Sequence, residues 1–441
     1  MADTRNIVIL GAAWGGLSAA HYFLKPIYPT LKRTQSSVTY KVVLVDPSTH
    51  FYYRIAAPRA CVSTAEMPHN QSFTPIMDGF KQYDRDAVVF YHAEATALDL
   101  KRRTVTLRHA GSDSHEDTIP FYALVLSTGT KTPTPITSLQ GDHTLTLNAL
   151  DDMNRRLATA TDIVISGGGP VAVETAGEIA THLNGPKGRD RKAKITIVTA
   201  STKLLPILRP KLAEKAEKLL NRVGVEVIYS TRVKKIDFSG DAGSSASGGV
   251  MNTSGKTAIH LDNGRTLMAD VFIPATGVTP NTHFLPGNML DAKGYIITNP
   301  TTLRVDDAGP RVYCIGDVGN YSRGGVLDLY DAMPVLGANM SNDLGVLSGV
   351  GAVDAGKPTD GRYSSESKAV ANGAAEGKRR GDKVYKEDKS ETQAVPIGKK
   401  TGVASFKGWA MPSMAVYFIK GKDYRIGSRT EITHGTKWIK A

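Results

Sequence analysis

Two glycine-rich turns, each between an apolar strand and a helix, constrain this chain more than any other feature. The first turn is Gly11-Ala12-Ala13-Trp14-Gly15-Gly16, directly after Ile7-Val8-Ile9-Leu10, and the second is Gly167-Gly168-Gly169-Pro170, directly after Ile163-Val164-Ile165. Glycine permits a tight turn that brings backbone close to a pyrophosphate, and the N-terminus of the following helix attracts the phosphates. One such turn is compatible with many functions, whereas two predict a pair of facing dinucleotides, which is an arrangement for hydride transfer.

In the first turn, Gly11 and Gly16 keep the outer positions of the G-x-G-x-x-G pattern, and Ala13 replaces the middle glycine. A methyl group at the point of closest approach weakens the motif without abolishing it. The next strand ends in Asp46, an acid suitably placed to bind the hydroxyls of an adenosine ribose. This part of the chain therefore predicts the first dinucleotide site.

The second turn differs at the corresponding strand tip. Gly167, Gly169 and Ala172 follow the G-x-G-x-x-A variant, but the strand Ile195-Thr196-Ile197-Val198 ends in Thr199 instead of an acid. A carboxylate at that position favours the free 2′-hydroxyl of NADH and repels the 2′-phosphate of NADPH. We therefore expect NADPH to be accepted alongside NADH; the alternative is that Thr199 belongs to an ordinary polar surface turn.

Composition excludes several classes of protein. The 441 residues, 41% of them hydrophobic, are enough for two or three domains with substantial cores. Two cysteines cannot form a disulfide framework and the histidines show no metal-ligand spacing, so we expect a reducing compartment and no metal site. The first strand begins at Ile7, which leaves no room for a signal peptide, and no apolar run is long enough to span a bilayer. These features predict a soluble, cytoplasmic protein.

Positive charge is concentrated near the C-terminus. The net charge is +12, and the segment Gly398–Ala441 holds nine Lys or Arg against two acidic residues. Aromatic residues lie among these cations, a pattern that suits peripheral contact with an anionic lipid surface. A role in solubility, or nonspecific affinity for nucleic acid, would produce the same pattern. The sequence leaves these options open, together with the oligomeric state.

Three further apolar strands, each followed by glycine, resemble motifs of a known family. Leu124–Thr130 and Val271–Gly277 look like the two A-T-G strands at which a chain passes between FAD and NAD(P) domains, and Val312–Asp317 looks like a second FAD motif. With the two turns, they resemble the FAD-dependent pyridine-nucleotide oxidoreductases over nearly the whole chain. The resemblance implies FAD and NAD(P)H as cofactors. It places FAD or NAD(P) contacts at Thr128, Gly129, Gly277, Gly316 and Asp317, the last beside the ribityl chain and pyrophosphate.

A more specific resemblance rests on Phe51–Ala60, on Thr96–Asp99, and on Lys407–Ser413 with Ile419–Asp423. These stretches are similar to apoptosis-inducing-factor-like proteins of the ferroptosis-suppressor branch, with type II NADH dehydrogenases as more distant relatives. The resemblance implies that Arg59 contacts FAD and that backbone around Ala95 meets the adenine. Members of this branch oxidise NAD(P)H and pass electrons to quinones.

Glu174 is the acid of greatest interest, because it lies one helical turn beyond the second glycine turn, where nicotinamide would meet flavin. The family has a functional glutamate there, and a carboxylate at this junction can orient the carboxamide or relay a proton. The alternative is a glutamate that only occupies a helix face, like Glu178 one turn later. We expect Glu174 to be catalytic and Glu178 to support the structure.

Cys61 suggests a different activity, because some relatives carry a flavin-facing cysteine that cycles through a sulfenic acid. Its neighbours Ala60 and Val62 depart from that peroxidase branch, in which glycine flanks the cysteine. A buried small hydrophobic residue is the simpler interpretation. Cys314 lies within a strand and is expected in the core.

The sequence thus predicts an α/β fold with two Rossmann-like dinucleotide-binding domains and a small C-terminal α+β module. The FAD domain is discontinuous, residues 1–150 and 272–350, and the NAD(P) domain, residues 151–271, is inserted into it. Residues 351–394, rich in Gly, Ser, Ala, Lys and Glu, are expected to form a disordered linker before an interface module at residues 395–441.

The predicted function is that of a flavoenzyme that takes hydride from NAD(P)H onto FAD and reduces a quinone or similar acceptor. Most of the chemistry then belongs to the cofactor, and the protein binds, orients and excludes water. One alternative is a redox-sensing scaffold whose FAD and NAD(H) control binding of a partner or DNA through the basic tail. Another is a single-cysteine peroxidase or thiol reductase that uses Cys61.

Overall fold

The computed structural model describes residues 3–112, 115–237, 255–346 and 381–438. Strands in these ranges are numbered in chain order: β1 Asp3–Leu10, β2 Val38–Asp46, β3 His50–Tyr52, β4 Phe73–Pro75, β5 Val88–Asp99, β6 Thr104–His109, β7 Glu116–Pro120, β8 Ala123–Leu126, β9 Thr130–Lys131, β10 Asp162–Ser166, β11 Lys194–Val198, β12 Val225–Ile228, β13 Val233–Asp237, β14 Thr257–Leu261, β15 Thr266–Ala269, β16 Val271–Pro274, β17 Thr279–Pro280, β18 Val312–Cys314, β19 Gln393–Ile397, β20 Thr401–Phe406 and β21 Trp409–Met411.

The α-helices are α1 Trp14–Tyr22, α2 Tyr28–Thr34, α3 Ala57–Ala60, α4 His69–Ser72, α5 His143–Leu157, α6 Pro170–Leu183, α7 Pro210–Arg222, α8 Val326–Asp343, α9 Ser413–Val416 and α10 Arg429–Thr433. The two helices α1 and α6 begin directly after the two glycine turns, so both turns face a helix N-terminus. Among the described helices, none combines the length and the apolar character that crossing a bilayer requires.

The first sheet has the strand order β18-β8-β1-β2-β5-β6-β7. Its first five strands are parallel, and β6 and β7 continue antiparallel from β5. The residues from Ile7 to Leu10 in β1 are fully buried, as expected for a parallel sheet covered on both faces. Because the carboxyl ends of parallel strands lie at one edge, β1, β2, β8 and β18 bring the first turn, Asp46 and the second FAD motif together.

The second sheet, β12-β11-β10-β16, is entirely parallel and shares apolar contacts with the antiparallel sheet β13-β14-β15. It lies in sequence between β8 and β18, so the first sheet is completed after the second. The short strands β9 and β17 pair with each other where the chain leaves and re-enters the first domain. The predicted fold class, with an inserted second dinucleotide-binding domain, is confirmed.

The C-terminal residues form the antiparallel sheet β19-β20-β21, followed by α9 and α10. Strand β19 lies against α6, where Gly177 permits the approach: a Cβ on Gly177 would be 2.8 Å from the Ile397 Cα. Helix α10 lies against α1. The C-terminal module therefore contacts the first helix of each dinucleotide fold, which brings its residues close to both glycine turns.

The predicted linker, residues 351–394, is wrong in its last part. The Asp382 carboxylate is buried and accepts from Arg304 Nη1 at 2.7 Å, and the Tyr385 amide donates to the Thr301 carbonyl at 2.8 Å. Strand β19 begins at Gln393. A buried ion pair and a buried aromatic ring fix this polar stretch against the body, and composition does not reveal such long-range pairing. Residues 351–380 lie outside the described residues.

Candidate active site

The first glycine turn is shaped by close approaches between backbone segments. Gly11 has φ +95°, and a Cβ on it would lie 2.5 Å from the Ser127 carbonyl oxygen. A Cβ on Gly16 would lie 1.7 Å from the Gly11 oxygen, and one on Gly15 would lie 3.1 Å from the Ile315 oxygen. Side chains are therefore excluded at the two outer glycines, and the backbone at the start of α1 stays accessible to a phosphate.

Ala12, Ala13 and Trp14 form the tip of this turn. Ala13 immediately precedes α1 and has extended backbone angles, so its methyl group does not strain the turn. Trp14 packs its half-buried ring against Phe51 and Tyr53, with centroid distances of 5.7 and 5.4 Å. These aromatic contacts fix the first residue of α1, where the predicted pyrophosphate would bind.

Asp46, at the tip of β2, is hydrogen-bonded to the turn itself. Its Oδ2 accepts from the Ala12 amide at 2.6 Å and its Oδ1 from the Ser48 amide at 2.8 Å. Burial raises the pKa of Asp46 to about 6, although these amide donors favour the charged form. The acid thus lies beside the turn, as the fingerprint requires, and its binding of ribose hydroxyls stays a prediction.

A cavity of about 260 Å³ lies next to Asp46, and its walls include Pro47, Glu94 and Asp142. Ala95 follows Glu94 on β5 and is buried. The pocket therefore borders Pro47, directly after the predicted ribose ligand, and Glu94, directly before the residue predicted to meet the adenine; residues 108–112 form another part of its wall. The contact of this region with adenine stays a prediction.

The second FAD motif lies opposite the first turn, because Gly15 approaches the Ile315 carbonyl. Gly316 has φ +85°, a conformation that favours glycine. Asp317 accepts a hydrogen bond from the Gly325 amide at 3.0 Å, which ties the motif to the start of α8. Two turns on opposite sides can hold the pyrophosphate and ribityl parts of FAD, so the residues present fit this cofactor.

The two crossings between the domains are hydrogen-bonded to each other. Thr128 Oγ1 donates to the Asn281 carbonyl at 2.7 Å, and Asn281 Nδ2 donates to the Thr128 carbonyl at 2.9 Å. Gly129 and Gly277 take φ values of +63° and +59° at the turns beside them. This reciprocal pairing fixes the two domains at the point where a nicotinamide has to reach a flavin.

The second glycine turn is also shaped by close approaches, but other residues lie against it. A Cβ on Gly167 would lie 2.3 Å from the Ala275 carbonyl oxygen, and one on Gly168 would lie 2.5 Å from Thr199 Oγ1. A Cβ on Gly169 would meet no atom of the described residues within 4 Å. Gly169 therefore faces open space at the N-terminus of α6, where the second pyrophosphate is predicted.

Thr199 is buried at the tip of β11, and its Oγ1 accepts from the Ser201 amide at 3.2 Å. A hydroxyl therefore contacts this turn at the position where the first turn has a carboxylate. The side chain places no negative charge beside a 2′-phosphate, in agreement with the expectation from the sequence. The preference between NADH and NADPH stays a prediction.

Glu174, at the start of the second turn of α6, is 2% exposed and forms an ion pair with Lys420 of the C-terminal module. The Lys420 Nζ lies 2.5 Å from Glu174 Oε1. Burial raises the pKa of Glu174 to about 7, and the ammonium of Lys420 opposes that shift. A buried carboxyl group thus lies on the helix that follows the second turn, paired with a partly exposed ammonium, and its catalytic role stays a prediction.

Lys420 is the functional candidate that the sequence interpretation missed. It lies 246 residues from Glu174, and no spacing rule connects residues that far apart. The available signal was the similarity of Ile419–Asp423 to the C-terminal module of the ferroptosis-suppressor branch. That similarity identified the stretch but not the side chain that reaches the site.

Arg59 is paired with Glu178 and with the backbone of the C-terminal module. The resemblance implies a contact with FAD, but the guanidinium is buried and forms an ion pair with Glu178, with Nη2 2.8 Å from Oε1 and Nε 3.0 Å from Oε2. It also donates to the carbonyls of Gly421 and Lys422 at 2.8 and 2.9 Å. A buried cation needs a counter-charge and hydrogen-bond acceptors, and these groups supply a carboxylate and two carbonyls. The contact between Arg59 and FAD that the resemblance implies stays a prediction, and the contacts with Glu178 and the two carbonyls give Arg59 a structural role as well.

Cys61 does not have the environment of a reactive thiol. It is buried, its Sγ lies 3.3 Å from the Pro58 carbonyl, and burial raises the pKa of its thiol to about 12. A thiolate is the reactive form, so this environment argues against the peroxidase alternative. Cys314 is also buried, in β18. In the described ranges, His109, His115 and Asp117 are close enough to share a metal ion, and the prediction of no metal site stays untested.

Comparison with known proteins identifies the family. Residues 5–333 match the sequence profile of the pyridine nucleotide-disulphide oxidoreductases. The chain belongs to this family. It is an NAD(P)H-dependent flavin oxidoreductase, with FAD and NAD(P)H as its cofactors.

Relatives with full and partial coverage support this assignment. The chain is 37% identical to oxidoreductase phnG of Penicillium herquei over 442 residues, 99% of this chain and 97% of that protein. It is 27% identical to the mitochondrial external alternative NADH-ubiquinone oxidoreductase of Yarrowia lipolytica over 263 residues, 53% of this chain and 42% of that protein. It is 28% identical to ferroptosis suppressor protein 1 of Homo sapiens over 237 residues, 53% of this chain and 54% of that protein. The predicted resemblance is confirmed.

Proposed function

We propose that this flavoenzyme transfers hydride from NAD(P)H to FAD and then reduces a quinone. The observation that carries the proposal is the ion pair between the buried Glu174 and the partly exposed Lys420 on the helix after the second turn, because quinone reduction consumes a proton that the hydride does not supply. The acceptor class is supported by the name of one relative, an NADH-ubiquinone oxidoreductase.

The chain's own residues bind and orient the two nucleotides. The first turn, Asp46 and Asp317 surround the FAD position, and the second turn and Thr199 surround the NAD(P)H position. When bound, FAD supplies the two-electron carrier. The hydrogen bonds between Thr128 and Asn281 hold the two domains in one relative orientation. Holding the two nucleotides in place in this way lowers the entropic cost of the reaction between them.

The proton balance assigns a role to Glu174. One NAD(P)H, one proton and one quinone give one NAD(P)⁺ and one hydroquinone, so a proton must enter from solvent in addition to the hydride. With a pKa near 7, the Glu174 carboxyl is partly protonated at neutral pH and can donate this proton. The Lys420 ammonium then stabilises the carboxylate that remains, until Glu174 is protonated again from solvent.

Three exposed apolar side chains lie close to Lys420 in the sequence. Trp409, Met414 and Phe418 are 79%, 72% and 71% exposed, and Phe418 lies two residues before Lys420. Basic residues dominate the same segment. Aromatic side chains among lysines suit the headgroup region of an anionic membrane, where a lipid-soluble quinone is available. Peripheral membrane contact is thus part of the proposal.

Steady-state oxidation of NADPH with a water-soluble quinone tests the activity. We expect turnover by the wild type, and we expect Glu174→Gln to lower quinone reduction by about a hundredfold while flavin content is retained, because general acid catalysis contributes about that much. Glu214→Gln, an exposed acid on α7, is the control. The proposal would be refuted if the wild type reduced none of the tested quinones with NADPH. Unchanged turnover in Glu174→Gln would also refute it.

Cosedimentation with phosphatidylserine vesicles tests the membrane contact. We expect binding at low salt, a steep loss at high salt because the attraction is screened within a Debye length, and weaker binding by Trp409→Ser/Phe418→Ser. Ile207→Ser, an exposed apolar residue outside the C-terminal module, is the control. Equal binding by all variants, or none by the wild type, would leave the three exposed apolar side chains as an interface with another protein.

A further inference from the structure

A buried guanidinium joins three segments that are far apart in the sequence. Arg59 lies on α3 in the first domain, its partner Glu178 lies on α6 in the second, and the carbonyls of Gly421 and Lys422 belong to the C-terminal module. Arg59 is 2% exposed, so these contacts are sheltered from water. We call Arg59, Glu178 and Tyr424 the clasp.

The clasp holds the backbone directly after Lys420. Two of the Arg59 donors bind Glu178 in a fork, and two donate to the carbonyls of the next two residues after Lys420. Tyr424 completes the arrangement: its hydroxyl donates to Glu178 Oε1 at 3.2 Å, and its ring lies 4.7 Å from the guanidinium carbon. The segment from Gly421 to Tyr424 is therefore fixed relative to α6, which also carries Glu174.

We propose that Arg59 is a positioning residue: through Glu178 and the carbonyls of Gly421 and Lys422, it fixes Lys420 against Glu174. This inference deepens the proposed function and rests on it. Glu174 and Glu178 lie one turn apart on α6, so a single guanidinium that binds Glu178 and the segment after Lys420 sets the distance between Lys420 and Glu174. The planar fork is essential, because it binds a carboxylate and carbonyls in fixed directions.

Lysine at position 59 keeps the charge but loses the fork, because an ammonium is a point donor. The segment after Lys420 then gains freedom, and the ammonium of Lys420 moves away from Glu174. The charged or titratable groups that face Glu174 are Lys420 and Tyr424 from the C-terminal module, Arg59 from α3, and Glu178 from its own helix. Since Lys420 is the closest cation, its withdrawal raises the pKa of Glu174.

Two readouts of Arg59→Lys test the inference, and Arg304→Lys is the matched control. Arg304 is also a largely buried arginine that binds two carboxylates, but its partners, Asp343 and Asp382, lie outside the clasp. The first readout is labelling of Lys420 by an amine reagent, followed by mass spectrometry. We expect Lys420 labelling to rise at least severalfold in Arg59→Lys and to stay at the wild-type level in Arg304→Lys.

The second readout is the pH dependence of kcat for quinone reduction. Because Glu174 acts in its protonated form, we expect its higher pKa in Arg59→Lys to move the falling limb to higher pH by about one unit, with no movement in Arg304→Lys. Should Arg59→Lys not fold, the charge-neutral pair Arg59→Met/Glu178→Gln takes its place. Unchanged labelling of Lys420 in the folded variant would overturn the inference. Absence of quinone reduction in the wild type would instead overturn the proposed function, and the labelling would still decide the role of Arg59.

Discussion

The two glycine turns have similar backbone approaches, but a different residue contacts each turn from the tip of the next strand. Both lie between a parallel strand and a helix, and both approach a carbonyl of a neighbouring strand so closely that glycine is required. In the first turn, the Asp46 carboxylate binds the turn's own amide. In the second, the Thr199 hydroxyl contacts Gly168 and no acid is present at the strand tip. The two turns thus share close backbone approaches, and they differ in the residue at the strand tip and in the space around their glycines.

The largest effect of this comparison is expected from methyl groups added at the last glycine of the first turn, Gly16, and at the middle glycine of the second, Gly169. In Gly16→Ala the new Cβ would lie 1.7 Å from the Gly11 oxygen, whereas in Gly169→Ala it would meet no described atom within 4 Å. We expect Gly16→Ala to purify without FAD or to misfold, and Gly169→Ala to keep FAD and lose NADPH affinity. Flavin absorbance per protein measures the first effect, and KM for NADPH the second. Full flavin occupancy in Gly16→Ala would contradict the described turn.

Asp317→Ala should also remove flavin, since this acid ties the second FAD motif to α8. We expect a loss of FAD affinity of at least tenfold, measured by equilibrium dialysis, because a hydrogen bond to a charged carboxylate contributes on the order of 1.4 kcal/mol or more. Asp262→Ala in the second domain is the control. Retention of wild-type FAD affinity in Asp317→Ala would remove Asp317 from the site.

The free energy of unfolding should depend on pH through Asp46 at the first strand tip, and not through Thr199 at the second. Burial raises the pKa of Asp46 from 3.8 to about 6, so the folded protein binds this proton more tightly than the unfolded chain. The corresponding stability is present below pH 4 and is lost as the pH rises through about 6, by up to about 3 kcal/mol. We expect Asp46→Asn to remove this part of the slope in urea unfolding between pH 4 and 7. Thr199→Val should leave the slope unchanged, and equal slopes in Asp46→Asn and wild type would contradict the burial of Asp46.

The smallest effect is expected on nucleotide preference. With a hydroxyl at Thr199, kcat/KM for NADPH should lie within about tenfold of the value for NADH, equivalent to ~1.4 kcal/mol. Thr199→Asp should shift the ratio toward NADH by about tenfold or more through repulsion of the 2′-phosphate, and the isosteric Thr199→Asn should not. A wild-type preference for NADH beyond a thousandfold would show that the strand tip does not decide the choice.

The features that the sequence predicts are local, whereas those that it does not predict depend on residues far apart in the chain. The turns, Asp46, Asp317 and the crossings at Thr128 and Gly277 follow from local motifs, because each is fixed within a strand–turn–helix unit. The partners of Glu174 and Arg59 could not be predicted, since Lys420 and Gly421 lie hundreds of residues away and no motif records the pairing.

The last part of the predicted linker fails for the same physical reason. Composition describes a segment's own hydrophobicity, but Asp382 is held by Arg304, 78 residues away in the sequence. Buried ion pairs of this kind depend on how distant segments fold together. Long-range charge pairing is therefore the part of this structure, and of its candidate site, that sequence patterns did not predict.

The central claim is that the two turns hold a hydride donor and a flavin that react with each other. Anaerobic titration of the purified protein with NADPH, followed by addition of a quinone, tests this claim most directly. We expect a yellow protein whose flavin absorbance is bleached by one equivalent of NADPH and restored by one equivalent of quinone. Flavin that NADPH and NADH both leave oxidised, or reduced flavin that the quinone does not reoxidise, would contradict it.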